Sequence, residues 1–383
     1  MSRQILILGG GVGGLVTANE LRDRLDSQHR VTLVDREPSF VFASSFLWML
    51  IGERTAAKIS RPLARLQKEG IDVVRGEIQR IDPERQEALV DGRTLASDFM
   101  VIALGAELAP ETIPGLQGTG HNFYTLRCDE SFRDALASFT RGRIVILTAA
   151  PAYKCPAAPY EAAMLVEHAC RKRKIREGAQ IDLYAAEPGP MGVMGPDVSK
   201  AVRAMVEQKG IGYHPEHQVV SVDPDRRQVK FQNGAEAPFD LLAYVPQHRA
   251  PRVVRESGLT GASGWIEVDR RTLETRWPFV YALGDVVSIP LALGKPLPKA
   301  GVFAHREAEI VARNITRLVA GGEEVASFDG SGECFVETGD GKAAFGKGSF
   351  YAEPVPRVRM HPPARHWHAA KVLVEKDWLH RWF

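Results

Sequence analysis

Hydrophobic positions near the start of the chain follow two alternating periods. The run QILIL at residues 4–8 is apolar and of strand length, after which Leu15, Ala18 and Leu21 recur at helical spacing and residues 31–34 are apolar again. This pattern predicts a strand, a tight turn, a helix and a second strand. Gly9, Gly11 and Gly14 fall in the turn at G-x-G-x-x-G spacing. In such a turn the first glycine permits the bend, the second admits a pyrophosphate to the backbone, and the third lets the helix pack on the strand. The helix N-terminus then faces the phosphates. Asp35 closes the second strand about 20 residues beyond the last glycine, where a carboxylate can accept the ribose hydroxyls of an adenine dinucleotide.

Residues 40–51 are aromatic and apolar with two serines among them, which suits either packing beside a cofactor or a substrate or acceptor surface. Residues 61–68 read as a short helix and 71–74 as a strand. Strand-like pieces then flank the turn signals DPERQ and DGR and predict a small antiparallel hairpin. The segment FMVIALGA is an apolar strand running into a turn at Gly105. A second series opens with RIVIL at residues 143–147 and continues with a strand at 180–185, a helix at 197–209 and an antiparallel piece with turns at DPDRR and QNGAE. From Pro238 the segment PFDLLAYVPQHRAP is read as returning the chain to the first unit.

Length and charge narrow the class. A chain of 383 residues suits two or three domains. With 49 Lys and Arg against 47 Asp and Glu, the net charge of +2 argues against nucleic-acid binding. The basic run RKRK at residues 171–174 is read as a solvated helix end. The chain enters its first strand within three residues, which predicts no secretory or transit segment and a cytoplasmic protein. Its longest apolar stretch, residues 40–52, falls short of the ~18 residues that suggest a membrane span. The four cysteines, Cys128, Cys155, Cys170 and Cys334, show no CxxC spacing, so no zinc or other metal site is expected.

The two strand–turn–helix units differ at one informative place. After RIVIL comes TAAPAYKCPAAPYEAA, and no glycine stands between Gly142 and Gly178. A pyrophosphate cannot approach a turn crowded by Ala149, Ala150 and Pro151 as it approaches a glycine loop, so nicotinamide binding is not expected here. Cys155 stands there instead, between Lys154 and Pro156 at the expected start of a helix, a setting predicted to lower its thiol pKa. Cys170, beside Leu165 and Val166 on an apolar helix pattern, reads as core.

The opening glycine motif, FMVIALGA and the late FVYALGDV segment together resemble the two-dinucleotide-domain flavoproteins of the pyridine nucleotide-disulfide oxidoreductase superfamily. The segments KCPAAPYEAA, LPKAGVFAHREAEIVARNI and GECFVETGDGKAAFG narrow the resemblance to sulfide:quinone oxidoreductases and the flavoprotein subunit of flavocytochrome c sulfide dehydrogenase. The resemblance covers most of the chain. It implies an α/β fold of two Rossmann-like, glutathione-reductase-like domains with a C-terminal α+β extension. Residues 1–112 and 240–318 would form a discontinuous FAD-binding domain, 113–239 the second domain, and 319–383 the C-terminal region.

Within that resemblance FAD would be held by Gly9, Gly11, Gly14, Asp35, Gly105, Gly284 and Asp285, with Asp285 at its ribityl or phosphate part and Lys299 against the flavin or acceptor site. Cys155 and Cys334 would form a redox-active pair at the flavin face. Glu161, a turn and a half beyond Cys155 on the expected helix, would handle protons near the sulfide site. Cys128 matches the place of a third cysteine in many quinone-reducing members, though the residues around it fit poorly. The histidine that relatives add after this stretch has no counterpart between His168 and His214.

The implied reaction is oxidation of sulfide, or of another small thiol, through a cysteine disulfide and persulfide with a quinone as acceptor. Alternatives are transfer to a cytochrome c, a flavin redox sensor without turnover, and an NADH:quinone-type dehydrogenase. Near the C-terminus, Trp367, Ala370, Val374, Trp378 and Trp382 recur at helical steps. That stripe suits a membrane headgroup interface, which would make the protein peripheral on a membrane, or equally a helix docked on the core or on a twin subunit.

Overall fold

The computed structural model describes residues 2–383 except residue 152 and residues 323–325, and leaves aside the side chains of Cys128 and Asp129. Two five-stranded parallel sheets form its centre. The first has the order Val280–Ala282, Phe99–Ile102, Gln4–Leu8, Arg30–Asp35 and Asp72–Arg75. The second runs His121–Asn122, Leu241–Val245, Gly142–Thr148, Ala179–Tyr184 and Gly212–His214. Their central strands are unbroken apolar runs because helices cover both faces, the usual condition of parallel sheets. In Ile144, Val145, Ile146 and Leu147 no surface reaches solvent.

The first helix, Val12–Arg24, packs on the strand it follows and on the long helix Gly301–Val319. Close packing at the turn explains two of its glycines. A Cβ on Gly14 would lie 1.8 Å from Gly9 O, and one on Gly9 would lie 2.4 Å from Ala103 O.

Small antiparallel sheets hang on this centre. Ile78–Asp82, Glu87–Val90 and Arg93–Ala96 make a three-stranded meander where the turn signals predicted a hairpin. The third strand had no signal of its own because DGR serves as the turn leading into it. Leu241–Val245 corrects the sequence reading. It pairs with Gly142–Thr148, in register from Ile144 and Leu241, and so belongs to the second sheet rather than to the segment returning to the first. A wholly apolar strand carries no mark of which parallel sheet will bury it.

The C-terminal region consists of the antiparallel strands Ser331–Gly339, Lys342–Ser349 and Arg357–Ala364, followed by the helix Arg365–Arg381. That helix buries Lys371, Glu375 and Leu379. Its apolar stripe is only partly turned inward: Val374 is 47% exposed, beside Leu373 at 65%. Trp378 stacks on Phe40 with ring centroids 4.7 Å apart, Trp367 stacks on Phe345 at 4.5 Å, and Trp382 is buried. The tryptophans therefore dock the helix on the protein itself. Among the described residues no helix is long and apolar enough to cross a membrane.

Candidate active site

The residues of interest follow the carboxyl ends of strands in both parallel sheets, the usual place for a ligand in open α/β sheets. At the first sheet the glycine turn fits a dinucleotide. Gly9 and Gly14 are closed in by backbone, whereas a Cβ on Gly11 would meet nothing within 4 Å, so this face of the turn is open to a ligand. Asp35 lies beneath it, its carboxylate accepting the Gly10 N–H at 2.5 Å and the Glu37 N–H at 2.8 Å. Gly105, at φ +66°, turns the neighbouring strand away.

The Gly284–Asp285 turn follows the edge strand of the same sheet. Burial raises the pKa of Asp285, against the opposing pull of Lys154 and Lys299. Lys299 Nζ donates to Asp285 O at 2.8 Å and Val287 O at 2.7 Å, and lies 3.5 Å from the Trp265 ring centroid. Burial lowers its pKa to about 8. Lys299 thus braces the turn, and its own carbonyl accepts the Cys155 N–H at 2.6 Å.

Cys155 sits in the irregular segment between the strand Gly142–Thr148 and the helix Ala158–Lys172. Its φ of +50° is a left-handed conformation that a side chain rarely adopts without support. The support is visible: Tyr124 Oη donates to Lys154 O at 2.8 Å and Cys155 O at 3.2 Å, while Lys299 holds the amide. Cys334 arrives from the C-terminal strand Ser331–Gly339. Cys155, Cys170 and Cys334 are free thiols. Cys170 is wholly buried, as expected of core. The side chain of Cys128 lies outside the described residues.

The Cys155 and Cys334 thiols share one electrostatic neighbourhood. Burial and the Glu161 carboxylate push Cys155 up to about 12, against the Lys371 ammonium. Burial, Cys155 and Glu161 raise Cys334, again against Lys371. A lowered Cys155 pKa was expected from Lys154 and a helix N-terminus. The structure gives the reverse because the helix starts three residues later, Lys154 Nζ lies over the Tyr124 ring at 5.8 Å, and desolvation of the thiolate dominates.

Glu161 faces these thiols rather than solvent. It is 2% exposed, and one carboxylate oxygen accepts both the Glu337 N–H at 2.8 Å and Lys371 Nζ at 3.1 Å. Burial raises its pKa in spite of both contacts. Burial also works against the charge on Lys371, yet Glu161 and Glu337 leave its pKa raised. The Glu337 carboxylate is held by His368 Nδ1 at 3.0 Å, and Trp48 packs against both His368 and Lys371. Glu375 accepts from Arg54 at 2.8 Å and Ser45 at 2.6 Å. Lys371, Glu337 and His368 escaped the sequence reading. The available signal was weak, a lysine and a glutamate four residues apart on a helix that carries many other charged and polar residues.

At the second sheet Glu187 follows the strand Ala179–Tyr184, much as Asp35 closes its own strand. Its carboxylate accepts from Tyr153 Oη at 2.5 Å, Tyr160 Oη at 2.7 Å and Thr148 Oγ1 at 3.0 Å. Two parallel sheets, one open glycine turn and a pair of half-buried thiols define a flavoprotein oxidoreductase with FAD as its cofactor. The chain belongs to the pyridine nucleotide-disulphide oxidoreductase family, whose model matches residues 3–308.

Its relatives are more particular. The sulfide-quinone reductase of Aquifex aeolicus is 27% identical, over 99% of this chain and 91% of that protein. The mitochondrial sulfide:quinone oxidoreductase of Mus musculus is 24% identical, over 92% of this chain and 79% of that protein. The crystal structure of the sulfide:quinone oxidoreductase from Aquifex aeolicus superposes with a TM-score of 0.90 at 24% identity, covering 100% of this chain and 91% of the other.

Proposed function

We propose that the protein oxidises sulfide, or a closely related small thiol, and delivers the electrons to a quinone. The observation that carries this reading is the electrostatic neighbourhood that Cys155 and Cys334, from two distant segments, share with Glu161 and Lys371. In the oxidised form of the pair, hydrosulfide attacks one sulfur of a Cys155–Cys334 disulfide. The bond to the donor sulfur forms as the disulfide bond breaks, leaving a persulfide on one cysteine and a thiolate on the other. Lys371 offers the thiolate a positive charge, and Glu161 is placed to accept the proton released by the donor. FAD, held by Gly9, Gly11, Gly14, Asp35, Gly105, Gly284 and Asp285, supplies a two-electron carrier between the thiols and the quinone.

The second domain supports this reading by what it lacks. Its carboxylate, Glu187, is already taken by three hydroxyls, and the turn above it contains Ala149, Ala150 and Pro151 in place of glycines. The outward Leu373 and Val374 suit contact with the membrane surface where a quinone dissolves. An anaerobic absorbance titration tests the proposal. Sulfide, and not NADH, should bleach the oxidised flavin band, and a quinone should restore it; bleaching by NADH alone would sink the thiol route.

A further inference from the structure

The Gly284–Asp285 turn is held from behind by a residue of the LPKAGVFAHREAEIVARNI segment to which no role has been given above. Glu307 lies nearly two turns into the helix Gly301–Val319, is 2% exposed, and its Oε2 accepts the Gly284 N–H at 2.7 Å. Gly284 has a φ of +75°, and a Cβ there would press on Ala304 Cβ at 3.2 Å. Its left-handed backbone therefore aims the amide into the protein, where it needs an acceptor. The carbonyls of the same turn are held from the other side by Lys299. Glu307 faces three titratable groups: Asp285 on the turn, Lys299 on the loop before the helix, and Tyr351 beyond the strand Lys342–Ser349.

We propose that Glu307 is the positioning residue of the flavin cradle: it fixes the turn that presents Asp285 and makes retention of FAD depend on a proton. Burial, with Asp285 adding to it, raises Glu307 to about 7, against the Gly284 N–H and Lys299. FAD brings an anionic pyrophosphate into a site that already holds the Asp285 carboxyl. Bound FAD therefore disfavours ionised Glu307 further, and the loaded protein keeps this proton to higher pH than the empty one. A state with the higher pKa is favoured at low pH, so FAD is held fully below about 7 and progressively less as pH rises above it.

The test follows release of FAD from the holoprotein, by its fluorescence, at about pH 6 and about pH 8.5. Glu307→Leu, which removes the acceptor, should release FAD about tenfold faster than wild type at both values, the loss expected for an unpaired buried N–H. Glu307→Gln keeps the acceptor and the shape but cannot ionise. It should match wild type near pH 6 and release FAD several-fold more slowly than wild type near pH 8.5. Lys299 titrates in both proteins and the Glu307 charge raises its pKa, so their ratio reports the Glu307 proton together with its pull on Lys299. A ratio that stays constant with pH overturns the proton link, and a Leu variant that keeps its FAD like wild type overturns the positioning role.

Discussion

The two halves of this molecule share a parallel sheet and an acid after its second strand, yet they use them in opposite ways. In the first half the helix begins at Val12, directly after three glycines, and the Asp35 carboxylate accepts from the backbone amides of Gly10 and Glu37. In the second half the strand ends at Thr148 and the helix waits until Ala158. The intervening residues supply a cysteine and Tyr153, which with Thr148 on the strand and Tyr160 on the helix takes up Glu187. Removing glycines closes a turn to phosphate, and the lengthened loop leaves room for a thiol. One topology thus keeps an open glycine turn in one copy and carries a cysteine in the corresponding loop of the other.

The contrast can be broken most severely at the thiols. Replacing Cys155 or Cys334 by serine should lower sulfide-dependent flavin reduction by on the order of 10³-fold or more in stopped-flow absorbance, with FAD still bound. A variant that keeps its rate would return that cysteine to a packing role. Next in size is Glu161→Gln, which should cost about 10²-fold. Because the Glu161 pKa is raised and its ionised form accepts the proton, the wild-type rate should climb with pH above the ordinary value of 4.5. The Gln variant should lack that climb.

A smaller effect sharpens the contrast from the other half. Gly11→Ala adds a Cβ where nothing lies within 4 Å, so the protein should fold normally while its affinity for FAD falls about tenfold. Thermal unfolding of the apoprotein together with FAD titration separates the two. The mildest change is Tyr160→Phe, which removes one of three donors to Glu187 and should destabilise the protein by about 1.5 kcal/mol in chemical denaturation. Flavin bleaching by NADH in that variant would show that the hydroxyls alone had kept the second site closed.

The C-terminal helix shows how a pattern can mislead. Its stripe from Trp367 through Trp382 suits a headgroup interface and a docked face equally; the tryptophans dock on the protein, and beside them the helix buries the charged Lys371 and Glu375. Burying those charges is tolerable because each finds a partner of opposite sign, Glu161 for the lysine and Arg54 for the glutamate. Helical spacing alone does not reveal partners more than 200 residues away. His368 is a further residue of this helix that spacing does not single out: it holds Glu337, 31 residues earlier in the C-terminal region.

What the sequence determined by itself was local: the strand–glycine–helix opening, the glycine-free second turn, the Gly284–Asp285 motif, and the cysteines worth attention. Each is encoded within a few residues, by spacing and by the conformational freedom of glycine. Only the tertiary structure decided which sheet claims Leu241–Val245, that Cys155 is raised rather than lowered, and that Lys371 and Glu307 stand at the site. These outcomes depend on desolvation and on charges from distant segments. Both exist only once the chain has closed on itself.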